Sequence, residues 1–145
     1  MTDEQYMQQA IDEAQKAYNK DEVPIGAIIV MQNKIIAKAY NQVEMLNDST
    51  AHAEILALTT AFNFLGTKYL PLATLYVTIE PCLMCCGALY WSKIGKVVFG
   101  AYDDKNGYRK TTGQNNPFHP KTIINGGLLA EKCGALMSNF FNEKR

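Results

Sequence analysis

The chain has 145 residues, 48% hydrophobic and 19% charged, with 14 basic residues against 14 acidic ones. That length fits a single domain, residues 1–145, with a real core, and is cramped for two. Balanced charge excludes a general electrostatic pull on nucleic acid, no apolar run reaches the ~20 residues needed to cross a bilayer, and the acidic opening Met1-Thr2-Asp3-Glu4-Gln5 is unlike a secretory signal. A cytoplasmic protein with no membrane association is expected. In a reducing compartment paired cysteines more often hold metal than form disulfides.

Thr2 to Gln5 reads as a capping box, and Met7, Ala10, Ile11, Ala14, Ala17 and Tyr18 recur at helical spacing until Asp21 to Pro24 stops the helix. Ile25 to Met31 and Lys34 to Tyr40 are β-rich and separated by Gln32-Asn33, which predicts a hairpin. The apolar first strand implies burial on both faces. Asn41 to Thr50 is loop-like, and Asp48, Ser49 or Thr50 is expected to cap the next helix, which carries His52 and Glu54 and ends at Gly66. Thr74 to Ile79 is a third strand, Pro81 suits the first turn of another helix, and Cys82 and Cys85 then fall one turn apart on one face. Val97 to Ala101 is a fourth strand, Tyr102 to Lys121 a long loop, and Thr122 to Asn125 a short edge strand. Leu129, Cys133, Leu136, Met137, Phe140 and Phe141 mark a final amphipathic helix. Strands alternating with helices predict a three-layer α/β domain.

Two fragments carry chemistry. His52-Ala53-Glu54 and Pro81-Cys82-Leu83-Met84-Cys85 supply one imidazole, two thiols and a carboxylate outside that set. A structural zinc usually takes four protein ligands, whereas a catalytic one takes three and keeps a position for water. Residues two apart on a helix do not share a face, so His52 and Glu54 serve one metal only if it lies off the N-terminal end of their helix. Helix starts carry partial positive charge, which favours thiolate at Cys82 and Cys85. Two thiolates and a neutral imidazole balance Zn²⁺, which brings the pKa of its water from 15.7 to roughly 7. Glu54, outside the ligand set, is then free to move a proton from that water to a leaving group. Cys86 and Cys133 are expected to pack in the core, and His119 to be a solvated loop residue.

This pairing of motifs is that of the zinc-dependent nucleobase deaminases, and over nearly its whole length the chain resembles bacterial tRNA-specific adenosine deaminases of the cytidine deaminase-like superfamily. The resemblance lies in Glu22-Val23-Pro24-Ile25-Gly26-Ala27, Asn41, Asn47 to Glu54, Leu75 to Cys82, Ile94 to Ala101, and Phe140-Phe141 followed by Lys144-Arg145. It implies an α/β/α fold with a mixed sheet of about five strands, one Zn²⁺ per subunit held by His52, Cys82 and Cys85, and conversion of adenosine to inosine at the wobble position of a tRNA anticodon by a homodimer. It also implies that Asn41 contacts the flipped base or its ribose, that Val23 lines the pocket, with Ala53 in the same substrate-binding set, that Asp103 lies beside the flanking nucleotides, and that Phe141 touches the anticodon loop.

The chain departs from the family pattern between Asp103 and Lys121. There Arg109, Lys110 and Lys121, with Tyr108 and Phe118, offer phosphate contacts and stacking for a splayed loop. That departure keeps two alternatives open: a deaminase of a free base or nucleoside such as guanine or cytosine, and a nonenzymatic zinc-stabilised RNA-binding module.

Overall fold

The computed structural model describes residues 1–145, in which five strands and five helices follow one another as α1 (Asp3–Asn19), β1 (Gly26–Met31), β2 (Lys34–Tyr40), α2 (Ala53–Leu65), β3 (Ala73–Ile79), α3 (Leu83–Ser92), β4 (Lys96–Ala101), α4 (Tyr108–Thr112), β5 (Ile123–Asn125) and α5 (Ala130–Glu143). The strands form one sheet in the order β2-β1-β3-β4-β5. β1 runs antiparallel to β2 and β3, whereas β3, β4 and β5 are parallel. The β1–β2 register shifts between Ile29 and Val30.

The apolar runs of the middle strands are explained by burial on both sides, as expected. Ala27, Ile29, Leu75, Val77, Val97 and Phe99 pack with α2 and α3, while the alternate residues Ile28, Val30, Tyr76 and Val98 pack with α1 and Cys133 of α5. The period of two along each strand thus divides the core into two halves and fixes the three-layer α/β/α arrangement. Gly26 is required where β1 presses on α1, because a Cβ there would run into the α1 backbone at Ala10 and Ala14.

The predicted hairpin is present, with Gln32 at φ 51° and Asn33 at φ 60°, the left-handed pair that a two-residue turn between twisted strands needs. The Thr2–Gln5 capping box closes α1, and Gly66 ends α2 at φ 66°. Three local expectations are corrected. The N-cap of α2 is His52, not Asp48, Ser49 or Thr50; the Asp48 carboxylate instead accepts from the Thr50 N–H and hydroxyl, both at 2.8 Å. Pro81 stands before the N-cap Cys82, not in the first turn of α3. The long loop contains the short helix α4, whose Tyr108 packs edge-on against Phe118 at 5.0 Å between ring centroids. No helix is long and apolar enough to cross a membrane.

Candidate active site

His52 and Cys82 occupy equivalent places. Each is the N-cap of its helix with extended backbone, at φ −74° and ψ 152° for His52 and φ −74° and ψ 170° for Cys82, and neither side chain bonds its own helix end. Both are thereby free to project off the helix starts, where the expected metal position lies. Cys85, in the first turn of α3, completes the set. His52 Nδ1 is 3.6 Å from Cys82 Sγ and 3.6 Å from Cys85 Sγ.

Those separations test the fit to a metal. Zn–N near 2.0–2.1 Å and Zn–S near 2.3 Å at tetrahedral angles require an N···S edge of about 3.6 Å. The donor set therefore suits Zn²⁺ without rearrangement, and all three ligand atoms lie within 4.8 Å of one another. Negative charge settles on Cys82, whose pKa is lowered to about 4 by the hydrogen bond with Cys85 and by His52, against burial. Cys85 is pushed well up by Cys82 and by burial. His52 is raised chiefly by its contact with Cys82.

Glu54 stands one residue into the same helix, 2% exposed. Burial raises its carboxyl to about 7, with the Cys82 charge adding to the rise. Its Oε1 is buried with no hydrogen-bond partner. An orphaned carboxylate oxygen beside three metal donors is costly unless something bound there uses it, so this oxygen is the second observation that the cluster fits a metal with an open position.

A cleft of about 1390 Å³ opens from His52, Glu54 and Cys82. Val23 and Asn41 line it, Asn41 being 4% exposed. Asp103 and Phe141 line it as well, Phe141 being 44% exposed. Asp103 also closes the turn of its own loop, its Oδ1 accepting from the Lys105 and Asn106 N–H groups at 3.0 and 3.1 Å. Ala53 stands between His52 and Glu54. Its methyl is fully buried in the core, because the residue between two cleft-facing neighbours must point inward, and only its first-turn N–H remains for the site.

Two carboxylates missed in the sequence hold the cleft walls. Glu22, fully buried, accepts from the Glu44 and Met45 N–H groups at 3.0 and 2.6 Å. Glu80, 2% exposed, accepts from the Asp103 N–H and from the main chain and guanidinium of Arg109, all at 2.9–3.1 Å. Burial alone would raise the Glu80 carboxyl, but Arg109 and these N–H groups bring it below its usual range. The only local hint was a carboxylate abutting a Pro-bearing motif in each case. Arg109 is thus occupied by Glu80 and Asp104, not held ready for phosphate, and Phe118 is 3% exposed within the core, not a stacking surface. Lys110 and Lys121 are exposed, and Cys86 and Cys133 are buried as expected.

Fold and site together define a zinc-dependent hydrolytic deaminase. Residues 1–101 match the cytidine and deoxycytidylate deaminase zinc-binding region. The tRNA-specific adenosine deaminase of Bacillus subtilis is 49% identical over 146 residues, covering 99% of this chain and 91% of that protein, and the enzyme of the same name from Buchnera aphidicola is 42% identical, covering 99% and 96%. A solved structure from a study of A-to-I editing by tRNA:A34 deaminases superposes with a TM-score of 0.84 at 38% identity, over 91% of this chain and 98% of that one. A guanine deaminase from Nitrosomonas europaea gives 0.80 at 26% identity, over 96% and 84%. The chain belongs to the cytidine and deoxycytidylate deaminase family, and within it to the tRNA-specific adenosine deaminases.

Proposed function

We propose that the chain hydrolyses adenosine to inosine at the wobble position of a tRNA anticodon, working as one domain of 145 residues with one Zn²⁺ on His52, Cys82 and Cys85. The observation that carries the chemistry is the unpartnered Glu54 Oε1 beside those three donors. The substrate class rests on the relatives of that name, which align over nearly the full chain.

Zn²⁺ supplies Lewis acidity that lowers the pKa of a bound water to roughly 7. Glu54 would take one proton from the attacking water and pass it to the ring nitrogen next to the reacting carbon as the C–O bond forms, and would then move the proton of the new hydroxyl to the exocyclic amine, so that the C–N bond breaks, ammonia leaves and the carbonyl of inosine remains. A carboxyl poised near neutrality suits both directions of transfer. Asn41, nearly buried in the cleft wall, holds the flipped base by its amide, and Val23 supports the ring. Asp103 and Phe141 meet the flanking nucleotides. Arg145 in the cleft lining offers a cation to a polyanion there, while its neighbour Lys144 is paired with Asp21.

The working unit is a homodimer in the cytoplasm. Support for pairing comes from α3, whose Leu83, Met84, Tyr90 and Trp91 are exposed, Trp91 by 72%. Such an apolar row is typical of a covered surface.

The experiment is incubation of zinc-loaded protein with an anticodon stem-loop RNA carrying adenosine at the wobble position, beside guanine and free adenosine. Inosine in the RNA is the expected product. Ammonia from guanine with no inosine in the RNA would overturn the substrate assignment.

A further inference from the structure

Tyr102 was not among the expected site residues, yet its ring lines the cleft and is 53% exposed. It is unusually well fixed for an exposed side chain. The Arg109 guanidinium lies over it at 4.6 Å from the ring centroid, and the buried Phe99 meets it at 5.1 Å and 88°. Arg109 is in turn held by Glu80, whose side chain is 0% exposed. That carboxylate gathers donors from both ends of the segment 103–109: the Asp103 N–H at one end and three N–H groups of Arg109 at the other. The Tyr108 N–H bonds the Pro81 carbonyl at 2.9 Å, and the Gly107 N–H bonds the Asp103 carbonyl at 3.0 Å. Gly107 has to be glycine for the loop to lie this close, since a Cβ there would strike the Glu80 carboxyl. Glu80 itself lies two residues before Cys82, so the loop bearing Tyr102 is anchored to the strand end that delivers a metal ligand.

We propose that Tyr102 is a stacking surface for a nucleobase next to the reacting one, locked in place by the Arg109 guanidinium and the Glu80 carboxylate. The inference rests on the RNA reading above. An aromatic ring already immobilised loses little further freedom when a base settles on it, which is how preorganisation strengthens binding. Stacking on an aromatic side chain is worth about 1–3 kcal/mol per base, so the affinity effect spans about fivefold to about 150-fold. Arg109 and Glu80 touch no reacting atom and are positioning residues. A free base has no neighbour to stack and gains nothing from Tyr102.

The test compares wild type, Y102A, Y102F, R109Q and Y102A/R109Q. Stem-loop binding is measured by fluorescence anisotropy with each placed in an E54Q background, and KM and kcat are measured in the zinc-loaded parent enzymes. Y102A should weaken stem-loop binding about tenfold and raise KM with kcat within about twofold, while Y102F stays close to wild type. R109Q should weaken binding less, and the double variant should bind no worse than Y102A, because Arg109 acts through the ring. Wild-type binding by Y102A, an equal loss in Y102F, or additive losses in the double variant would each overturn the proposal. If wild type deaminates guanine and leaves the stem-loop untouched, the functional reading fails and Tyr102's role fails with it. If wild type edits the stem-loop and Y102A matches it, only the stacking role is lost.

Discussion

Glu54→Gln should separate stability from catalysis. In the metal-free protein burial raises the Glu54 carboxyl from 4.5 to about 7. A carboxyl raised on folding binds its proton more tightly in the folded chain than in the unfolded one. Stability is then full below pH 4.5, declines between pH 4.5 and pH 7, and stays lower above that, by on the order of 3 kcal/mol. Glutamine is neutral throughout and suffers no such loss, although its unpaired amide costs about 1 kcal/mol. The variant should therefore gain about 2 kcal/mol at pH 8 and close to nothing at pH 5, which is about 4–8 °C in thermal midpoint at the alkaline end for a domain of this size. The assay is thermal unfolding of chelator-treated wild type and E54Q at both pH values, with deamination by the zinc-loaded proteins alongside. Turnover should fall by a factor of about 10²–10⁴ while zinc stays bound. Equal midpoints at pH 8, or undiminished turnover in metal-replete E54Q, would refute the assignment of Glu54 as a buried, unliganded proton carrier.

Other outcomes follow from the same geometry. Replacing His52 or Cys82 by alanine should abolish stoichiometric zinc measured by elemental analysis, because two donors do not hold a catalytic ion. Phe99→Ala, which empties a fully buried site touching Tyr102, Tyr108 and Gly126, should cost about 3–5 kcal/mol in denaturant unfolding. Trp91→Glu should shift the protein from dimer to monomer on sedimentation, and an unchanged sedimentation coefficient would rule out α3 as the pairing surface.

Much of this was legible in the chain because it is local. The capping box at Thr2, the Gln32-Asn33 turn, the α2 stop at Gly66 and the doubly buried strands are all written within a few residues of where they act. The metal set was legible because its ligand types are few and its spacing unusual. Other features depend on approaches between distant segments. α4 is only five residues long, Tyr108 to Thr112, too short to be stable alone and with weak helix formers at three of its positions, and it is held by Glu80 some thirty positions earlier. Phe118 and Arg109 read as stacking and phosphate-contacting residues because their sequence neighbours are polar, yet Phe118 fills the core and the half-exposed Arg109 pairs with the buried Glu80 carboxylate. Ala53 shows the converse limit: it sits inside the catalytic motif, but helix geometry turns its methyl away from the cleft.

The two outermost strands restrict how copies of this chain associate. β2 carries Lys34 and Lys38 on an irregular register beside β1, and β5 offers only three residues. Lysine-bearing, distorted or very short borders resist strand-by-strand extension into a continuous intermolecular sheet. Self-recognition is thereby diverted from hydrogen-bonded edges to helical faces, so crowding many molecules at high concentration should yield discrete assemblies and not fibrils.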